Sequence, residues 1–129
     1  MRSTVLSFVI ASVLLLPVVC AAADINDIAG TWSGNWTPKG GILDAVTIEV
    51  RVEGGKVTGK FRTPSAMDFT KATFNPATGI VAIEATDAKA AGKLYKLDGK
   101  VTGNDLKGTL VVGGTPGDLL LIKWTYIPR

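Results

Sequence analysis

The sequence predicts an all-β fold: eight antiparallel strands that follow one another in an up-and-down meander and close into a barrel. Three observations support this prediction. Apolar and polar residues alternate with period two through most of the chain after residue 23, no window sustains a period of 3.6, and turn-forming residues separate the alternating segments. A two-sheet β-sandwich is the alternative, because the sequence does not show whether the first and last strands pair.

The clearest strand covers residues 46–52, whose valines and isoleucine share one face while its polar residues share the other. Gly54 and Gly55 then indicate a tight turn, and residues 57–62 return with Phe61 inward. Six further segments alternate in a similar way: residues 31–37, 69–75, 80–86, 93–102, 105–112 and 119–127. The Ala-rich segment 87–92 has room for one helical turn at most.

The connections alternate between short and long. The short turns are at residues 54–55, 75–79 and 102–105, and the longer connections are at residues 38–44, 63–68, 87–92 and 113–118. In a meander every second connection lies at the same end of the sheet. The sorting therefore predicts a barrel with a closed end of tight turns and an open end of longer loops.

Residues 1–23 are interpreted as a cleavable export signal. Arg2 supplies the positive charge, an apolar run follows, and three alanines form a small-residue cleavage site before Asp24. The run is shorter than the roughly 20 apolar residues of a membrane-spanning helix. Residues 24–129 are therefore expected to form one exported domain, periplasmic or extracellular, without a stable membrane anchor.

A lipoprotein attached through Cys20 is the competing interpretation of the same segment. The residue before the cysteine is Val19, which is bulky where lipid attachment favours a small residue, so cleavage is the preferred interpretation. Cys20 is the single cysteine of the chain, and no disulfide is expected to stabilise the domain.

The composition excludes several kinds of site. The chain has no histidine, and its net charge of +3 comes from interspersed lysines and arginines without a basic cluster, so nucleic-acid binding is not expected. No zinc-ligand spacing, phosphate-binding loop or serine-nucleophile motif occurs, and no cofactor is predicted. Asp44, Asp68, Asp87 and Asp118 fall in or beside the open-end loops. Paired carboxylates are used in glycoside hydrolysis, but aspartates are also common turn residues.

Two short motifs carry a resemblance to a known group of barrels. Gly30-Thr31-Trp32 resembles the Gly-x-Trp opening of the calycins, the lipocalins and avidins, and residues 57–63 are similar to a hairpin segment of avidins. The resemblance implies an up-and-down barrel with a ligand at its open end. Phe61 stands where avidins carry a tyrosine hydroxyl that binds biotin, so the resemblance does not imply biotin as the ligand.

Side-chain parity places most aromatic residues inside the predicted barrel. Trp32 and Trp36 have the same parity, and because their strand starts at the closed end, Trp32 is expected there and Trp36 near the open loops. The same argument from parity and strand direction places Phe74, Trp124 and Tyr126 near Trp32. It places Phe61, Phe69, Tyr95 and Leu120 near Trp36. Phe69 and Phe74 have opposite parity, so at least one needs a β-bulge or lies outside the barrel.

The leading functional hypothesis is a non-enzymatic protein that binds a small apolar or aromatic molecule at the open end. Trp36, Phe61, Phe69 and Tyr95 would contact the ligand, and Asn35 would offer polar selection. The alternative is a protein-binding module, such as an inhibitor of an exported hydrolase, that uses the open-end loops. An interior filled by its own side chains is the competing interpretation of the aromatic residues.

The apolar run at residues 119–122 carries a separate hypothesis. Leu119 and Leu121 alternate with Leu120 and Ile122, so one pair faces outward. Together with Val111 on the neighbouring strand, that pair would form an exposed stripe for a second copy or another protein. Scattered surface leucines are the alternative, and the oligomeric state stays open.

We expect the exported protein to begin at Asp24, because Ala21 and Ala23 satisfy the small-residue requirement of the cleavage site. The intact mass of protein recovered from the exported fraction should match residues 24–129. A chain that begins at Cys20 and carries a diacylglycerol mass would contradict this prediction.

Overall fold

A computed structural model, which describes residues 24–124, shows a closed barrel of eight antiparallel strands in meander order. The strands are β1 (Gly30–Pro38), β2 (Asp44–Glu53), β3 (Lys56–Thr63), β4 (Met67–Asn75), β5 (Ile80–Asp87), β6 (Lys93–Thr102), β7 (Asp105–Val112) and β8 (Thr115–Lys123). β1 pairs with β8 from Trp32–Lys123 to Pro38–Gly117, which closes the sheet. The barrel prediction is confirmed and the sandwich alternative is wrong. The interpreted signal at residues 1–23, with Cys20, lies outside the described residues, as does Tyr126.

The described part of the chain contains helix only as two short 3-10 turns, Ile25–Ile28 and Ala88–Ala90. The second turn lies in the Ala-rich segment between β5 and β6, where the sequence leaves room for one turn. Among residues 24–124, no helix is long and apolar enough to cross a membrane.

The connection between β7 and β8 corrects the predicted loop lengths. Gly113 and Gly114 have φ angles of 56° and 90° and form a two-residue hairpin turn, so β8 begins at Thr115 and not at residue 119. The predicted long loop at residues 113–118 is therefore wrong. Pro116 and Gly117 indicated a loop, but both lie at the start of β8, where a strand tolerates them.

The register of β8 also corrects which of its residues face inward. Leu119 and Leu121 are buried, whereas Leu120 and Ile122 point outward, so the expectation that Leu120 lies near Trp36 is wrong. Trp124 has the parity of Leu120 and is exposed, so the expectation that it packs in the core near Trp32 is also wrong. The physical reason is that four consecutive apolar residues have no alternation, and pairing with β1 decides their faces.

Trp32 closes the lower end of the barrel together with the N-terminal 3-10 helix. Its side chain is completely buried, and its indole N–H donates a hydrogen bond of 2.9 Å to the carbonyl of the buried Ile28. Lys123 takes the place predicted for Trp124: its Nζ lies 5.6 Å from the Trp32 ring centroid and donates to the carbonyl of Asp27 at 2.9 Å. The closed-end position predicted for Trp32 is confirmed.

The N-terminal 3-10 helix is held by a capping box that sequence analysis missed. The Asp24 carboxylate accepts a hydrogen bond from the backbone N–H of Asn26, and the Asp27 carboxylate accepts one from the backbone N–H of Asp24, each at 3.0 Å. Two acids three residues apart before an isoleucine were the available signal. The helix brings the buried Ile28 to Trp32, and these two residues form what we call the floor of the barrel.

A β-bulge at Thr70 resolves the conflicting parity of Phe69 and Phe74. Phe69 pairs with Ala85 and Lys71 pairs with Glu84, so Thr70 is an extra residue on β4. The bulge turns both phenylalanines toward the interior, where Phe74 is buried and Phe69 is half-buried. Of the two predicted alternatives, a β-bulge or a phenylalanine outside the barrel, the structure has the bulge.

Substitution of Trp32 by alanine is expected to lower the free energy of unfolding by about 3–5 kcal/mol, the usual cost of removing a buried large aromatic side chain. The exposed Leu94 supplies the matched control, since Leu94→Ala should cost less than about 0.5 kcal/mol. Chemical denaturation measures both. A loss below about 1 kcal/mol for Trp32→Ala would show that the floor does not depend on this residue.

Candidate functional site

Three of the predicted site residues form one aromatic cluster inside the barrel. The Phe61 ring centroid lies 5.7 Å from that of Phe69, edge-on at 80°, and 5.4 Å from that of Tyr95 at 58°. These are favourable separations and tilts for aromatic pairs. Phe61 is completely buried at the centre of the cluster, so its role in the fold is to support the other two rings.

Phe69 owes its place to a divergence between β3 and β4. These strands share only the register pairs Lys60–Asp68 and Phe61–Met67 within the described barrel. Gly59 lies just beyond, with φ of +150°, and a Cβ atom added there would be 2.8 Å from Phe69 Cε2. The absent side chain at Gly59 therefore makes room for the Phe69 ring in the seam between the strands.

Trp36 lies at the upper end of β1 with its indole anchored to the opposite wall. Its Nε1 donates a hydrogen bond of 2.8 Å to the carbonyl of Leu110, and only 8% of the residue is exposed. Gly117 leaves the space that the indole needs, because a Cβ atom added there would lie 2.5 Å from Nε1. Trp36 therefore forms much of the roof over the filled interior, with its polar atom already satisfied.

A cavity of about 350 Å³ lies above this roof, at the open end of the barrel. Trp36 and Tyr95 contribute its aromatic surface. Its other lining residues are Val46, Leu110, Val112, Pro38, Pro64, Asp44, Lys93 and Thr115. Phe61 and Phe69 do not line it. The structure thus brings Trp36 and Tyr95 to one cavity, and leaves Phe61 in the core and Phe69 half-buried in the seam between β3 and β4.

Sequence analysis missed the aliphatic lining residues and Lys93, and it placed Asp44 at the open end only as a possible catalytic carboxylate. Val46 belongs to the inward face of the clearest predicted strand, and Leu110 and Val112 alternate inward at the upper end of β7. Their parity together with their position at the open end was the available signal. Asp44 and Lys93 begin their strands at the same end, so chain direction placed them there too.

Asn35 is not part of the open-end cavity. It is exposed on the outer wall, opposite Leu120 in the β1–β8 register. There it borders a separate groove of about 400 Å³, together with Leu43, Lys107 and Asp118. One-residue alternation along β1 gives the physical reason: Trp36 faces inward, so its neighbour Asn35 faces out.

Tyr95 carries the one marked electrostatic effect of the cavity. Burial raises the pKa of its phenol above the ordinary value of 10.0, and the negative charges of Asp87 and Asp44 raise it further. Asp87 is itself buried, and its carboxylate accepts a hydrogen bond of 3.0 Å from the backbone N–H of Lys89, so Asp87 caps the second 3-10 helix. Tyr95 is therefore neutral at pH 7, with a hydroxyl able to donate or accept.

The four aspartates considered for catalysis do not assemble into one site. The negative charges of Asp87 and Asp44 raise the pKa of Tyr95. Asp68 is opposite Lys60 in the β3–β4 register, and Asp118 borders the outer groove. Among residues 24–124, no three His, Cys, Asp or Glu side chains lie close enough together to hold a metal ion.

Comparison with known proteins leaves the chain without an assigned relative. No protein-family model matches it, and searches of curated proteins and of solved structures also return no match.

Because the pKa of Tyr95 is raised in the folded state, the free energy of unfolding depends on pH in the alkaline range. The stabilising contribution of the neutral phenol is fully present below pH 10, the ordinary pKa of the group, and is lost as the pH rises through the raised folded-state pKa. Asp87→Asn keeps a capping side chain but removes one negative charge, so Tyr95 should ionise at lower pH than in the wild type. Ultraviolet absorbance of the phenolate, referenced to Tyr95→Phe, measures the midpoint.

Asp118→Asn is the control for this titration, because its carboxylate borders the outer groove and does not act on Tyr95. The control should titrate like the wild type. Equal midpoints for Asp87→Asn and the wild type would contradict the electrostatic account.

Proposed function

We propose that this chain is an exported, non-enzymatic binding protein that holds a small aromatic or apolar molecule at the open end of its barrel. The observation that supports the proposal is the cavity of about 350 Å³ bordered by Trp36 and Tyr95. Its size falls at the lower end of the roughly 300–1,000 Å³ typical of small-molecule pockets. Its position matches the ligand end that the calycin resemblance implies.

The filled interior restricts the proposed ligand to the open-end cavity bordered by Trp36 and Tyr95, which we call the mouth. Phe61, Leu97 and Leu121 are completely buried below, and the Trp36 indole bridges to the Leu110 carbonyl. A molecule at the open end therefore rests on the roof and does not enter the barrel. This geometry favours a flat, ring-sized compound that stacks on aromatic surface over a long chain that would need a deep channel.

Polar groups around the cavity offer selectivity. Asp44 and Lys93 contribute opposite charges to the lining, and Thr115 adds a hydroxyl. The neutral Tyr95 hydroxyl adds a further donor or acceptor. The proposed ligand therefore combines an apolar ring with at least one polar substituent, since a few placed polar groups fix orientation in a mostly apolar pocket.

A protein-binding module is the second candidate, and the loop between β1 and β2 favours it. Ile42 is 88% exposed and Leu43 is 54% exposed, side by side at the open end. Exposed apolar residues on a loop are typical of contact surfaces for another protein. This candidate corresponds to the inhibitor hypothesis, in which open-end loops contact an exported hydrolase.

Filling the mouth tests the small-ligand proposal without disturbing the core. Trp36→Ala is unsuitable alone, because loss of a buried indole should cost about 3–5 kcal/mol and can open a new cavity. Thr115 is exposed and lines the mouth, so Thr115→Trp should occupy the cavity at little cost in stability. The fluorescence of 1-anilinonaphthalene-8-sulfonate reports binding, and its affinity should fall at least about tenfold.

Two control variants assign the signal to the mouth. Thr73→Trp adds the same side chain at an exposed position of β4 away from the mouth, and it should leave the affinity unchanged. Leu120→Lys changes the outer groove and should also leave it unchanged. A wild-type protein that does not bind the probe, or that loses binding only through Leu120→Lys, would overturn the small-ligand proposal and leave the β1–β2 loop as the candidate surface.

A further inference from the structure

The outer face of β8 carries a row of exposed apolar side chains that the proposed function does not use. Leu120 and Ile122 on β8, and Trp124 directly after its end, are 43%, 52% and 64% exposed and share the same outward parity. Both edges of β8 are already paired, with β1 and with β7. The row therefore offers side chains and no free strand edge, which points to packing of one sheet face on another.

The register defines the polar residues that flank this row. On the β7 side, Lys107 lies beside Leu120 and Asp105 lies beside Ile122. On the β1 side, Asn35 lies beside Leu120 and Ser33 beside Ile122. The face thus has an apolar centre and a polar rim, as protein interfaces do. We call this surface, formed by the outward residues of β8 and the flanking residues of β7 and β1, the β8 face.

We propose that the β8 face binds a second copy of this chain in a symmetric dimer. A two-fold axis that runs perpendicular to the strands, midway between the two faces and over Leu121, keeps each strand over its counterpart and reverses its direction. Leu120 then lies over Ile122 of the second copy. Lys107 lies over Asp105 of the second copy, and the same ion pair forms again by symmetry.

Charge complementarity is what favours a second copy over an unrelated protein. Lys107 and Asp105 are both exposed, have opposite charges and stand at equal distances on either side of Leu106. The two-fold axis therefore converts one neighbouring pair of opposite charges into two contacts between subunits. No like charges of the flanking strands meet in this arrangement, and both polar residues on β1 meet polar residues.

The groove on the outer wall provides the anchor for the same arrangement. Trp124 lies three positions after Leu121 and Asp118 three positions before it, so the axis brings Trp124 over Asp118 of the second copy. Asp118, Leu43 and Leu120 line the groove of about 400 Å³. An exposed tryptophan that enters a groove on its partner is the kind of residue that dominates interface energies. The symmetry supplies this contact twice.

The dimer should be a reversible one. A face three strands wide on a curved barrel can bury only a small interface. The dissociation constant of the dimer is therefore expected to be on the order of 10 µM. Sedimentation equilibrium of the purified protein, run from about 1 µM to about 500 µM, should show a monomer that converts to a dimer.

Matched substitutions test the apolar centre. Ile122→Lys places a charge in the middle of the β8 face and should raise the dissociation constant at least about a hundredfold. Ile80→Lys introduces the same change at a residue that is 51% exposed on β5, outside the proposed interface, and should leave dimerisation unchanged. A wild-type protein that stays monomeric at about 500 µM, or equal effects of the two substitutions, would overturn the proposal.

A charge exchange tests the symmetry. Lys107→Asp should raise the dissociation constant about tenfold, because both symmetric contacts become repulsive. Adding Asp105→Lys to the same chain restores two opposite-charge contacts and should return the constant to near the wild-type value. A double variant that dissociates as readily as Lys107→Asp alone would contradict the two-fold arrangement.

Discussion

The pairing of β1 with β8 is the constraint on which the rest of this structure depends. It removes the free edges of the sheet, which would otherwise present unpaired backbone N–H and C=O groups to other chains. It also sets the register of β8. In that register Leu119 lies opposite Trp36 and Lys123 lies opposite Trp32. Closure of the barrel therefore gives each tryptophan of β1 a neighbour on β8 in addition to its partner on β2.

The two tryptophans show how the ends of the barrel are finished. Each lies inward on β1, and each indole N–H finds a backbone carbonyl: Ile28 for Trp32 and Leu110 for Trp36. A buried indole needs such a partner, so each ring is oriented as well as packed. Between them the core is filled, which is the general condition of eight-stranded barrels of this width. The proposed ligand is therefore expected at the open end and not in the interior.

The mouth and the β8 face are separate surfaces that share a structural origin. The mouth collects the upper ends of several strands, with inward residues such as Trp36 and Tyr95. The β8 face collects outward residues of three neighbouring strands. Alternation along β1 and β8 supplies both sets, because each inward residue that builds the core leaves its neighbour outside. The two proposals can therefore succeed or fail independently.

The sequence by itself determined the meander of eight strands, the inward position of Trp32 and Trp36 and the parity conflict of the two phenylalanines on β4, because period-two alternation is a local property that pairing only completes. Tertiary structure decided the faces of residues 119–122 and with them Trp124, since an unbroken apolar run carries no parity and the Gly113-Gly114 turn and β1 set its register. It also decided the lining of the mouth. A cavity depends on how many strands converge and how far their side chains reach, and these distances between segments are not written in any one segment of the chain.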